Sequence, residues 1–158
     1  MKRLFTLLAS SAVFFVLASP ADAVVVARNC GALPQVNTVH STTSQTGSSN
    51  VFAPVAASLV NFTIAGNVRS CVIVTFSAQA YAPNGRLIWV RALRDGVQSV
   101  DGEIAFAAED GNFAQSRSYS FLFPSVTPGA HQITMEYRSQ VNGQAVNIDR
   151  FAVEVHHR

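Results

Sequence analysis

Apolar and polar side chains alternate through much of the second half of the chain, which is the period of a strand with one buried face. In Ser70–Tyr81, the side chains of Val72, Val74, Phe76, Ala78 and Ala80 share one face, opposite Cys71, Ile73, Thr75, Ser77 and Gln79. The first set is the expected core face. Residues 131–138 repeat the pattern with Ile133, Met135 and Tyr137 inward, and residues 118–123 repeat it with Tyr119, Phe121 and Phe123 inward. Residues 86–94 are apolar on both sides, as expected of a strand inside a sheet and beneath another layer. Weaker strand signals fall at 51–55, 59–64 and 103–107.

Turn residues divide these runs. Asn and Gly in Pro83-Asn84-Gly85 and Asn142-Gly143 accept the positive φ of a tight hairpin, and Glu109-Asp110-Gly111-Asn112 and Pro128-Gly129 mark further turns. Asp95-Gly96 and Asp101-Gly102 are expected to bracket an exposed connection. The last strand changes phase. Val146 and Ile148 are even-numbered while Phe151, Val153 and Val155 are odd, so burying all five requires a bulge near Asp149-Arg150. About eight strands in roughly 110 residues, without intervening helices, predict an all-β fold: a two-sheet antiparallel β-sandwich of immunoglobulin-like or jelly-roll-like order. Residues 37–50, NTVHSTTSQTGSSN, are rich in Ser and Thr and read as a surface loop that adds nothing to a core. The expected organisation is a leader at 1–23, an N-terminal segment with this loop at 24–50, and the sandwich at 51–158.

The segment 124–137, PSVTPGAHQITMEY, resembles the loop and strand near the end of fibronectin-type and other immunoglobulin-like domains, and jelly-roll domains contain comparable pieces. The resemblance implies architecture only. Both cysteines precede Trp89, so the immunoglobulin pattern of inter-sheet cysteines flanking a core Trp is absent.

The leader is read from Met1-Lys2-Arg3, an apolar stretch at 4–18 and Ala21-Asp22-Ala23, with cleavage expected after Ala23. Fifteen helical residues reach about 22 Å, short of a bilayer core of roughly 30 Å. The expected product is secreted or periplasmic, with no membrane span after cleavage. In an oxidising compartment Cys30 and Cys71 then form a disulfide, closing a loop of about 42 residues worth roughly 4 kcal/mol in chain entropy. The chain is 49% hydrophobic and 13% charged with a formal net charge of +2, which suits a globular domain and supplies no nucleic-acid footprint.

No motif for catalysis is present. Gly47-Ser48-Ser49 lacks the second glycine of a hydrolase elbow, and the only lysine is Lys2, within the leader. The zinc-protease helix, P-loop and dinucleotide fingerprint are missing, so no catalytic residue, metal or cofactor is assigned. Glu103, Glu109, Asp110, Glu136, Asp149 and Glu154 read as solvated acids, and Asp110-Gly111-Asn112 as a turn rather than a calcium loop. Asn61-Phe62-Thr63 spells a glycosylation sequon by chance within a strand-like run. Of the histidines, His40 lies in the polar segment, His131 is expected at the rim of the core, and His156-His157 as a loose solvated tail whose rings alternate apart. Among the aromatics Trp89 is the candidate ligand contact, since it shares a face with Leu87 and Arg91.

These features predict a non-enzymatic module that binds a protein or glycan surface, or serves an envelope assembly, through loops at 95–102 and 109–117. The alternatives are a hydrolase or metal-dependent enzyme assembled from distant His and acidic residues, and a self-assembling surface subunit marked by an unpaired first or last strand.

Overall fold

A computed structural model describes residues 30, 32–83, 86–108 and 114–158. In chain order its strands are β1 (Gln35–Ser41), β2 (Gln45–Gly47), β3 (Ala53–Pro54), β4 (Val60–Ile64), β5 (Ser70–Tyr81), β6 (Leu87–Arg94), β7 (Val97–Ala108), β8 (Gln115–Val126), β9 (Gly129–Ser139) and β10 (Val146–His157). They form two antiparallel sheets. The first runs β1-β10-β5-β8 with β2 also on β10, and the second runs β3-β9-β6-β7 with β4 also on β9. The chain passes repeatedly from one sheet to the other, the jelly-roll order rather than the immunoglobulin one. The Pro128-Gly129 connection is one such crossing, since it joins β8 of the first sheet to β9 of the second. Among the described residues no helix is long and apolar enough to cross a membrane.

The alternating faces meet between the sheets. Val72, Val74 and Phe76 of β5 and Phe121 of β8 pack against Ile88, Val90 and Ala92 of β6 and Ile133 and Met135 of β9, all fully buried. Removing each large apolar side chain from water stabilises the fold by about 1.5–3 kcal/mol. Phe76 sits among rings, with centroids 5.0 Å from Phe106 and 6.0 Å from Phe151. In β10 the register shifts between Asp149 and Phe151, and Arg150 takes a φ of 29°. This bulge absorbs the phase change, so Val146, Ile148, Phe151, Val153 and Val155 all point inward. Cys30 and Cys71 are disulfide-bonded, with Cα atoms 5.1 Å apart, tying the chain ahead of β1 to the start of β5.

Several expectations are corrected. Residues within 37–50, read as a surface loop, extend β1 and supply β2, both paired with β10. An edge strand needs backbone pairing on one side and few apolar groups, and here Val39 alone of β1 packs on the core. Residues 95–102 are not a loop. Asp95 and Gly96, at φ 50° and 80°, make a two-residue hairpin turn, and β7 begins at Val97. Asp101-Gly102 forms a bulge within β7, where the pairing jumps from Arg91↔Glu103 to Leu93↔Gln98. Tyr119 shares the parity of Phe121 but is 37% exposed, on the part of β8 that lines a groove with Ile104 and Phe106 of the second sheet. β6 lies inside its sheet, between β9 and β7, and beneath the first sheet, but only the face of Ile88, Val90 and Ala92 is covered, and Trp89, Arg91 and Leu93 are half-buried on the outer face. The expected leader, Asn84-Gly85 and the turn at 109–112 lie outside the described residues.

Asp95 fastens the β6–β7 turn to β9. Its Oδ1 accepts the Gln132 N–H at 2.9 Å, and its Oδ2 lies 2.7 Å from His131 Nδ1. Burial alone would raise its pKa, but the bonds from His131 and Gln132 and the charges of His131 and Arg94 outweigh it and hold the carboxyl below its ordinary value. The folded pKa is therefore the lower one. Asp95's contribution to stability is complete above about pH 4 and is lost as pH falls through the depressed folded value. In urea melts at falling pH, Asp95→Asn should be less stable than the parent at neutral pH, with the gap closing under acid. A gap that does not depend on pH would contradict the assignment.

Candidate functional site

The outer face of the first sheet is flat and polar. Cross-strand hydroxyls pair along β5 and β8, with Thr75 and Ser120 at 2.9 Å and Ser77 donating to Ser118 at 2.9 Å. Register places His40, Ala152 and Ser77 side by side across three strands, and the small Ala152 and Ser77 form a low floor. Over it opens a trough of about 410 Å³. The end of β1 contributes His40 and Ser41, β5 contributes Ser77 and Gln79, β8 contributes Ser116 and Arg117, and β10 contributes Arg150. Among the described residues no carboxylate lines it. Asp149, opposite Gln79 in register, lies outside the lining.

Arg150 is the distinctive member. A non-glycine residue at positive φ carries strain of the order of 1 kcal/mol, retained where the surroundings enforce it. The bulge both repairs the core phase and sets this exposed side chain at the trough. Among the described residues Arg150 forms no ion pair. The trough thus offers a cation, an imidazole, an amide and several hydroxyls without a competing acid. Such groups suit a ligand rich in hydroxyl and carboxylate oxygens.

Trp89 lies on the outer face of the opposite sheet, away from the trough. Arg138 sits 5.3 Å from its ring and 5.2 Å from that of Phe52, while Arg91 lies 4.1 Å from Phe52. The same arginines pair with acids, Arg91 with Glu136 at 2.6 Å and Arg138 with Glu103 at 2.9 Å. Glu103 and Glu136 are therefore ion-paired rather than simply solvated. Stacked guanidinium groups occupy this face.

The histidines also differ from expectation. His157 is 1% exposed and closes β10, so it is not a solvated tail. Its Nε2 donates to Asn37 Oδ1 at 2.8 Å, and that amide is oriented by its own bond to Asn61 O at 3.1 Å. His131 lies between Asp95 and the Thr127 carbonyl, at 2.7 and 2.8 Å. The ring of Phe62 lies 5.5 Å from His131 and 5.0 Å from His157. A hollow of about 470 Å³ adjoins them, but these imidazoles bond to neighbouring protein groups. Among the described residues no three His, Cys, Asp or Glu gather to hold an ion. Sequence reasoning flagged the bulge at Asp149-Arg150 but missed Arg150 and Gln79 as site residues, since parity alone does not show which outward face is hollow.

No family model matches the chain, and no curated protein matches it. Solved structures with similar outlines include the dimeric latent PorU of Porphyromonas gingivalis (14% identity, TM-score 0.42, covering 81% of this chain and 13% of that one). A family 35 carbohydrate-binding module from Clostridium thermocellum shows 9% identity and a TM-score of 0.41 over 77% of this chain and 92% of the module. A carbohydrate-binding module solved with calcium and xylotriose shows 14% identity and a TM-score of 0.38 over 73% and 98%. The chain thus spans a small part of the first of these proteins and nearly the whole length of the two modules. Resemblance at this level assigns neither family nor ligand.

Proposed function

We propose that this chain is an exported binding module that holds an acidic polysaccharide in the trough of the first sheet. The observation that carries the reading is Arg150, held exposed by a strained bulge beside His40, Gln79 and a serine floor, with no acid among the described residues of the lining. Protein partners engage through buried aromatic or aliphatic anchors, and the only aromatic carbon side chain at this trough, Phe151, belongs to the core. A glycan instead presents many oxygens to a polar surface, and a uronate carboxylate accepts both arms of a guanidinium. The open form suits a polymer lying across the sheet better than a small molecule enclosed in a pocket. The disulfide accords with an oxidising compartment outside the cytoplasm.

Affinity electrophoresis in gels containing polygalacturonate or neutral xylan tests the reading. The protein should be retarded by the uronate polymer, less so at high salt, and not by xylan. Arg150→Gly removes the cation and relieves the positive φ, so it should weaken binding about tenfold or more while leaving the melting temperature unchanged or raised. Equal retardation by both polymers, by neither, or full binding by Arg150→Gly would defeat the reading.

A further inference from the structure

Among the described residues the outer edge of β8 is open over 116–120. The Leu122 N–H turns away from β5 and donates to Asp101 Oδ2 at 2.6 Å. Alternation along an antiparallel strand then turns the backbone groups of Ser116, Ser118 and Ser120 outward as well, since no register shift separates them from Leu122. Among the described residues none of these three has a backbone partner on that side, and all of 116–120 except the pairing to β5 is exposed. Of the devices that blunt an edge, residues 116–120 carry one charge, Arg117. There is no Lys, no bulge and no proline before Pro124. Beside this edge, Ile104, Phe106 and Tyr119 line a groove of about 270 Å³ between the two sheets.

The five residues Ser116-Arg117-Ser118-Tyr119-Ser120 are complementary to an antiparallel copy of themselves. With Ser118 on a twofold axis, Ser116 faces Ser120 of the second copy, so only small side chains meet on the outer surface. On the other surface Arg117 faces Tyr119 twice, a cation over an aromatic ring, and the two arginines do not oppose each other. We propose that two copies of this chain pair through β8, edge to edge, joining their first sheets into one continuous sheet. The contact is isologous and closes on itself, so it produces a dimer and not a fibre. It also places two troughs on one surface, which doubles the contacts available to a polymer, although the pairing itself does not depend on what the troughs bind.

Sedimentation of the full exported protein over a wide concentration range should show a reversible dimer. Ser118→Pro deletes an N–H that points away from β5, a substitution an edge strand tolerates, and it should weaken self-association at least about tenfold. Ser118→Cys supplies a second readout that does not depend on the proline variant folding. A hydrogen-bonded antiparallel pair sets like residues about 5.5 Å apart at Cα, within disulfide reach, so mild oxidation should yield a crosslinked dimer. Ser77→Cys, one strand further in, should not crosslink. A protein that sediments as a monomer throughout, unchanged association in Ser118→Pro, or equal crosslinking of both cysteine variants would overturn the proposal. Polysaccharide retardation in the same samples is a separate measurement, and Arg150→Gly should leave the dimer intact.

Discussion

Phe76→Ala is expected to lower the free energy of unfolding by about 3–5 kcal/mol. Phe76 is wholly buried near the middle of β5, between two neighbouring strands of its own sheet and against the facing sheet through Phe106. Truncation to Ala forfeits the transfer energy of the ring and leaves a cavity. Walls that come from two hydrogen-bonded sheets have little freedom to collapse into it. A domain of this size has a net stability of about 5–15 kcal/mol, so the variant should unfold at far lower urea concentration, with an unchanged denaturant slope. A loss under about 1 kcal/mol would mean that Phe76 is not central to the packing.

Replacing both Cys30 and Cys71 by Ser should cost nearly as much, about 4 kcal/mol in the chain-entropy model. The two cysteines are 41 residues apart in sequence, and the loop between them contains β1 to β4. Three of these strands have little core of their own: β1 is mostly exposed, and β2 and β3 have three and two residues. Without the crosslink their ordering entropy must be met by edge pairing to β10 and β9 alone. Hydrogen exchange should accordingly rise first in β1 and at His157, whose ring is held by Asn37 of β1. Guanidinium unfolding of parent and double variant, each with and without reductant, measures the effect. Midpoints that coincide in all four samples would refute it.

The alternating strands were legible because a half-buried strand writes its burial into every second residue. β5 and β9 follow their expected faces, and the odd-even conflict in β10 called for a bulge that is there. β1 was not legible, because an edge strand is held by backbone bonds that any sequence makes, and its Ser and Thr side chains are those of a loop. The turn chemistry of Asp101-Gly102 was correctly noticed but could not distinguish a bulge from a break, since Gly102 at φ 74° serves either. His157 looked like a loose end because its partners, Asn37 and Phe62, lie about a hundred residues away in the chain.

The candidate site illustrates the same division. The order of residues alone determined that the chain is all-β, which faces of β5, β9 and β10 enter the core, that the two cysteines pair, and that no known catalytic motif is present. Local periodicity and composition carry that information. Tertiary structure alone decided the jelly-roll order, the stacking of Arg138 over Trp89, the gathering of His40, Ser77, Gln79 and Arg150 around one trough, and the open side of β8. Each of these depends on which strands become neighbours, a choice set by pairing between segments far apart in sequence, and outward-facing residues carry no periodic signal of what will lie beside them.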